Sequence, residues 1–179
     1  SVFGKQERGL SLDKYASKLS DPKTKIANVL DGRDSLGCGG FGLWYDNKLI
    51  KPTESRIYTR IIADSPIRSV FEVVFDNWRV GEQNIRVTST YSIFAGQRWS
   101  SNKIKIDKAN GPVKLACGLS KVKSASLIKD DQTGFFYTYG AQSRLNPPDG
   151  LGLALIYPKE KLESFVENDN NYLAILNID

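Results

Sequence analysis

The chain has 179 residues, 40% of them hydrophobic and 11% aromatic, enough for a packed core and too much for a disordered polymer. Its net charge of +5 makes a mildly cationic surface suited to anionic partners. The cations are scattered, which argues against the continuous basic stripe of a nucleic-acid binder. No apolar run is long enough to cross a bilayer, and the absence of histidine removes His-based triads and the usual zinc sites.

The chain starts at Ser1 and contains no Met, so we expect either a removed leader or a piece of a longer chain. Residues 1–34 are polar and irregular, punctuated by Gly4, Gly9, Pro22 and Gly32, and read as a covering segment that another part must order. Within it, Leu10–Ala16 suits a helical turn or two and Ile26–Leu30 a short strand. The glycine-dense run Ser35-Leu36-Gly37-Cys38-Gly39-Gly40-Phe41-Gly42 follows. It removes most Cβ atoms from a stretch leading into an aromatic strand, so it either admits something close to the backbone or shapes a turn and bulge.

From there the chain reads as strands. Phe41–Tyr45 and Lys48–Ile50 flank Asp46-Asn47, a tight hairpin signal. Ser55–Ala63 and Ile67–Trp78 follow, separated by Asp64-Ser65-Pro66. In Asn84–Phe94, Ile85, Val87, Tyr91 and Ile93 alternate with Arg86, Thr88, Thr90 and Ser92, a clear period of two. Trp99–Asp107, Val113–Leu119, Lys123–Lys129, Thr133–Gly140, Leu151–Tyr157 and Tyr172–Ile178 complete the series, with Lys159–Val166 read as a helical turn or connector. About ten strands joined by hairpin-type turns predict an all-β fold, an antiparallel β-sandwich domain over 35–179. Lys103, Lys105, Lys108, Lys114, Lys121, Lys123 and Lys129 fall mostly at alternate positions, as on a solvated sheet face. Cys38 and Cys117 read as free thiols, with a bridge as the alternative.

Strand parity gathers the candidate chemistry. Arg56, Tyr58 and Arg60 share one side of their strand, opposite Ile57, Thr59 and Ile61. Arg68, Glu72 and Asp76 share the side opposite Phe71, Val73 and Phe75, and Arg86, Thr88 and Thr90 oppose the apolar row of the next strand. If these strands are neighbours, the polar rows form one face able to hold an anionic, hydroxyl-rich ligand, and the bland alternative is cross-strand ion pairs on a solvated surface. Arginine forks suit a carboxylate, rings cover the apolar side of a sugar, and Glu72 between two valines is the carboxylate best placed for acid–base work. Lys121, at a strand end, is a second candidate base if burial or a neighbouring cation lowers its pKa. Tyr91, Tyr137 and Tyr139 read as core, with a stacking platform as the alternative for the last two. No motif asks for a cofactor or a metal.

Several strings in order, namely Ser35-Leu36-Gly37-Cys38-Gly39-Gly40, Tyr58-Thr59-Arg60-Ile61-Ile62, Pro66-Ile67-Arg68-Ser69-Val70-Phe71-Glu72, Ala95-Gly96-Gln97-Arg98-Trp99 and Gly118-Leu119-Ser120-Lys121, resemble domain-of-unknown-function family 4861. The resemblance implies a sugar-binding sandwich like those of galactose mutarotase and polysaccharide lyases. It also implies secretion or a periplasmic location, and work on polysaccharides encoded in bacterial utilisation clusters. Members are longer at both ends and often carry histidine near the glycine run and after Lys121, where this chain has Val122; a histidine-dependent reaction is therefore not expected. The combined expectation is a binder of acidic, uronate-containing oligosaccharide that catalyses elimination or hydrolysis. Tyr58, Glu72 and Lys121 would be catalytic, with Arg60, Arg68, Arg86, Gly39 and Gly40 holding substrate. The alternative is a non-catalytic carbohydrate-binding or interaction domain of a larger assembly.

Overall fold

The computed structural model describes residues 34–107, 109–130, 132–142 and 150–178, and the backbone of 3–5 and 26–28. The helical turn expected at Leu10–Ala16 lies outside the described residues, as does most of the expected covering segment. In chain order the strands are β1 (Phe3–Lys5), β2 (Ile26–Asn28), β3 (Cys38–Tyr45), β4 (Lys48–Ile50), β5 (Arg56–Asp64), β6 (Arg68–Val80) and β7 (Gln83–Phe94). They continue with β8 (Ser101–Asp107), β9 (Lys114–Ser120), β10 (Ala125–Asp130), β11 (Phe135–Gly140), β12 (Leu151–Ile156), β13 (Leu162–Glu167) and β14 (Asn171–Leu176). Among the described residues the one helical piece is a 3-10 turn at Lys159–Lys161. The protein is therefore all-β with antiparallel pairing, the class that the strand and turn spacing predicts.

The strands group into two compact units, one of residues 1–41 and 116–177, the other of 42–115 with 178–179. The chain leaves the first unit within β3 and returns within β9.

In the first unit the strand order is β13-β14-β9-β3, beside a separate meander β10-β11-β12 and the small pair β1-β2. A strand covered on both faces reads as a continuous apolar run. β14 is such a strand, with all six residues buried, and β9 is buried from Ala116 through Ser120. Phe136 of β11 is fully buried and meets Phe165 of β13 edge to face at 5.0 Å. The segment expected as connector is corrected here. Only Lys159–Lys161 turns, and the chain after it pairs with β14, Phe165 opposite Ala174 and Val166 opposite Leu173.

In the second unit the end of β3 forms a hairpin with β4, Tyr45 opposite Lys48. Asp46 and Asn47 sit at φ 49° and 55°, the paired positive values of a two-residue turn whose twist matches that of its strands. The other four strands form a meander ordered β5-β6-β7-β8. A bulge between Phe75 and Trp78, with Asn77 at φ 57°, adds one residue to β6 and flips its parity. Trp78 and Val80 thereby join Ile85 and Val87 on the apolar face, and all four are 0–1% exposed.

Candidate functional site

The register of β5 to β8 sets the polar side chains in rows. Arg60 lies opposite Glu72, Glu72 opposite Thr90, and Thr90 opposite Lys103. The next row reads Tyr58, Val74, Thr88 and Lys105, and beyond it Arg56 lies opposite Asp76 and Arg86 opposite Asp107. On the other side, Val70 faces Ser92, and Arg68 faces Phe94. Directly opposed residues share a face, so the arginines, the tyrosine, the hydroxyls and the carboxylates expected to converge do stand on one side of a single sheet.

Ion pairs order that face. Arg60 Nε donates to Glu72 Oε1 at 2.8 Å, the arginine side chain 70% exposed and the carboxylate 14%. Arg86 lies 3.7 Å from Asp76, and Lys105 is 2.8 Å from Asp107. Arg68 Nε donates to Ser92 Oγ at 3.2 Å, while its guanidinium sits 5.3 Å from the centre of the Phe94 ring. Arg56, Arg60, Arg68, Arg79, Arg86, Lys103 and Lys105 stand against Glu72, Asp76 and Asp107, so cations outnumber carboxylates more than two to one. Sequence parity found the arginines. Lys103 and Lys105 were legible only as members of a solvated face, because which strand β8 pairs with is set by the tertiary fold.

Lys121, Gly39 and Gly40 belong to the first unit. The Lys121 ammonium is bonded to the Glu167 carboxylate and lies 5.9 Å from the centre of the Tyr172 ring. The hydrogen bond to Glu167 raises its pKa, so Lys121 is held as a cation, opposite to the direction a general base requires. At Gly40 the space a Cβ would take is already filled, 2.2 Å from the Leu36 carbonyl oxygen, and Gly39 has φ 72° with Leu155 Cδ1 3.7 Å from its Cβ position. The close approach that the glycine run permits is made by its own chain.

Polar groups hold that run in place. The Leu36 N–H donates to Asn171 Oδ1 at 2.6 Å, the Ser120 N–H donates to the Gly37 carbonyl at 2.8 Å, and the Ser35 and Ser120 hydroxyls are bonded to each other. Asn171, 2% exposed, is set in turn by its N–H donating to Asn168 Oδ1 at 2.8 Å. Both cysteines are free, and burial pushes the Cys117 thiol up to about 12.

Tyr91 packs in the apolar face, its ring stacked on Phe71 at 4.8 Å. Tyr139 departs from the core expectation. It is 58% exposed, and its ring lies against Gly150 and Gly152, whose missing side chains leave room for it. Among the described residues no helix is long and apolar enough to cross a membrane.

Against known proteins, residues 2–179 match the family model described as Domain of unknown function (DUF4861). The chain belongs to that family. No curated protein and no solved structure matches it. The arginine-bearing sheet of β5 to β8 and the glycine run both fall inside the DUF4861 match.

Proposed function

We propose that this DUF4861 protein binds an acidic, uronate-containing oligosaccharide across the polar face of β5 to β8. The observation that carries the reading is the excess of cations on one sheet face, with Arg60 oriented by Glu72 at 2.8 Å. A guanidinium fixed by one carboxylate presents its remaining donors in a set direction, which suits two-point contact with a uronate. Thr88, Thr90 and Ser92 between the charged positions supply hydroxyl partners for sugar OH groups, and Phe94 and Tyr58 supply ring surface. The wider likeness to mutarotase and lyase sandwiches, a polysaccharide-degrading context, and a periplasmic or secreted location belong to the same proposal.

The reaction this face supports best is elimination. Glu72 and Asp76 stand four residues apart on one strand, roughly 13 Å at the usual rise, beyond the separation that paired-carboxylate glycoside hydrolysis uses. In an elimination, an arginine neutralises the uronate carboxylate, which eases removal of the adjacent proton. The electron pair forms the new double bond as the glycosidic oxygen leaves. Arg60 or Arg68 would neutralise, Tyr58 in the neighbouring row would take the proton on its phenolate oxygen and pass it to the departing glycosidic oxygen, and Glu72 would position Arg60. The ion-paired state of Lys121 favours the second reading, a binder without turnover, because it removes one of the candidate bases.

Calorimetric titration with oligogalacturonate and with its neutral, carboxyl-reduced counterpart tests binding. Arg60→Ala should weaken uronate affinity about tenfold or more, in line with loss of a charge-assisted pair, and leave the neutral sugar unaffected. Equal affinity of wild type and variant for the uronate would overturn the proposal. Unsaturated product formed by wild type and lost in Tyr58→Phe identifies elimination; intact ligand after long incubation identifies the binder.

A further inference from the structure

β5 ends the order β5-β6-β7-β8, so among the described residues no strand pairs with its outer edge. Eight of its nine residues are exposed, among them Ile57 at 56%, Tyr58 at 53%, Ile61 at 74% and Ile62 at 50%. Sheet edges are normally blunted by charged residues, lysine above all, by proline or by bulges, and of these β5 has Arg56, Arg60 and Asp64 and one bulge near its end. β5 has no lysine and no proline, and its single irregularity is the bulge between Ile61 and Ala63. The run before that bulge is an open row of backbone donors and acceptors flanked by isoleucines.

We propose that this edge pairs with the β5 edge of a second copy of the chain, antiparallel about a two-fold axis at Thr59. The charge pattern selects the register. With the axis at Thr59, Ile57 lies opposite the second copy's Ile61, Thr59 opposite its own equivalent, and Tyr58 opposite the second copy's Arg60. The apolar face then continues as Ile–Ile, Thr–Thr, Ile–Ile, and the polar face gains two tyrosine–arginine pairs suited to cation–π contact. An axis at Arg60 sets two arginines directly opposite each other, and an axis at Tyr58 sets Arg56 against the second copy's Arg60; both oppose like charges. An axis at Ile61 puts the bulged Ile62 inside the ladder. Only the Thr59 register keeps hydrogen bonds, apolar pairs and charge in agreement, as an isologous interface requires.

In this arrangement Glu72 offsets the charge of Arg60 beside the axis, at 2.8 Å. The polar faces of two copies join into one, with Tyr58 and Arg60 from both chains at its centre. The pairing rests on the edge alone and stands whether or not the face binds a sugar.

Sedimentation of the full chain over a concentration series tests it. Wild type should rise from one to two chain masses, and Thr59→Lys, which opposes two ammonium groups at the axis, should stay at one, with the melting curve that wild type shows at concentrations where it is a single chain. Thr59→Cys should cross-link under mild oxidation about tenfold faster than Tyr58→Cys, whose copies lie diagonally beyond disulfide reach, and faster than wild type with its own two thiols. Three results would each overturn the proposal: wild type at one chain mass throughout, cross-linking of Thr59→Cys no faster than Tyr58→Cys, or protection from exchange in a monomer of the outward-pointing β5 amides, those not bonded to β6.

Discussion

β5 and β14 both carry large aliphatic residues and a tyrosine, yet every residue of β14 is buried and eight of nine in β5 are exposed. Composition accounts for part of this, since β5 carries Arg56, Arg60 and Asp64 and β14 no charge, but the aliphatic residues of the two also differ. Ile57, Ile61 and Ile62 of β5 are 50–74% exposed, whereas Leu173, Ala174 and Ile175 of β14 are at 0%. Position in the sheet decides, because β14 lies between β13 and β9 while β5 is the last strand of its sheet. The covered strand carries stability, and the uncovered one carries the charged face and the open edge.

Truncating each strand should give the largest contrast. Leu173→Ala empties space beside Gly118 and should cost about 2–5 kcal/mol. Ile61→Ala, at 74% exposure, should change stability by no more than about 0.5 kcal/mol. Urea unfolding of both variants measures the difference, and a comparable loss in each would break the comparison.

Adding a methyl group sharpens it further. Gly40→Ala drives a Cβ to 2.2 Å from the Leu36 carbonyl oxygen, so backbone has to move, and about 1–3 kcal/mol should be lost. Thr59→Val on β5 exchanges a hydroxyl for a methyl at an exposed site and should stay within about 0.5 kcal/mol. Thermal melts at one pH suffice to rank the two.

The smallest effect is expected at Lys121, where pH gives the sign. Its pKa lies above the ordinary 10.5, chiefly through the hydrogen bond to Glu167. A cation raised in this way adds stability below its unfolded value and loses that contribution as pH climbs through the folded one. The melting difference between wild type and Lys121→Met should therefore be small and steady near neutrality, then close as pH rises beyond 10.5. A difference that widens with alkali would contradict the assigned ion pair.

Much of this was legible in the residues. Asp46-Asn47 announces its own turn, because both side chains tolerate positive φ. The alternation in β7 places Arg86, Thr88 and Thr90 on one face without reference to any neighbour. Parity along β5 and β6 assigned Arg60 and Glu72 to one side before their 2.8 Å contact was visible. β13 was missed because Leu162–Glu167 follows a proline and a charged turn, and its pairing with β14 is what makes it a strand. The glycine run looked open to a ligand because a sequence shows missing Cβ atoms without showing that Leu36 fills the space above Gly40.

By itself, then, the sequence determined roughly where most strands fall and, along uninterrupted stretches, which residues share a face, since both follow from a period of two and from turn chemistry within a few residues. Tertiary structure decided which strands are covered, where the Asn77 bulge turns Trp78 inward, and that β5 keeps an unpaired edge among the described residues. Those outcomes depend on pairings between residues far apart in the chain, which no local pattern encodes.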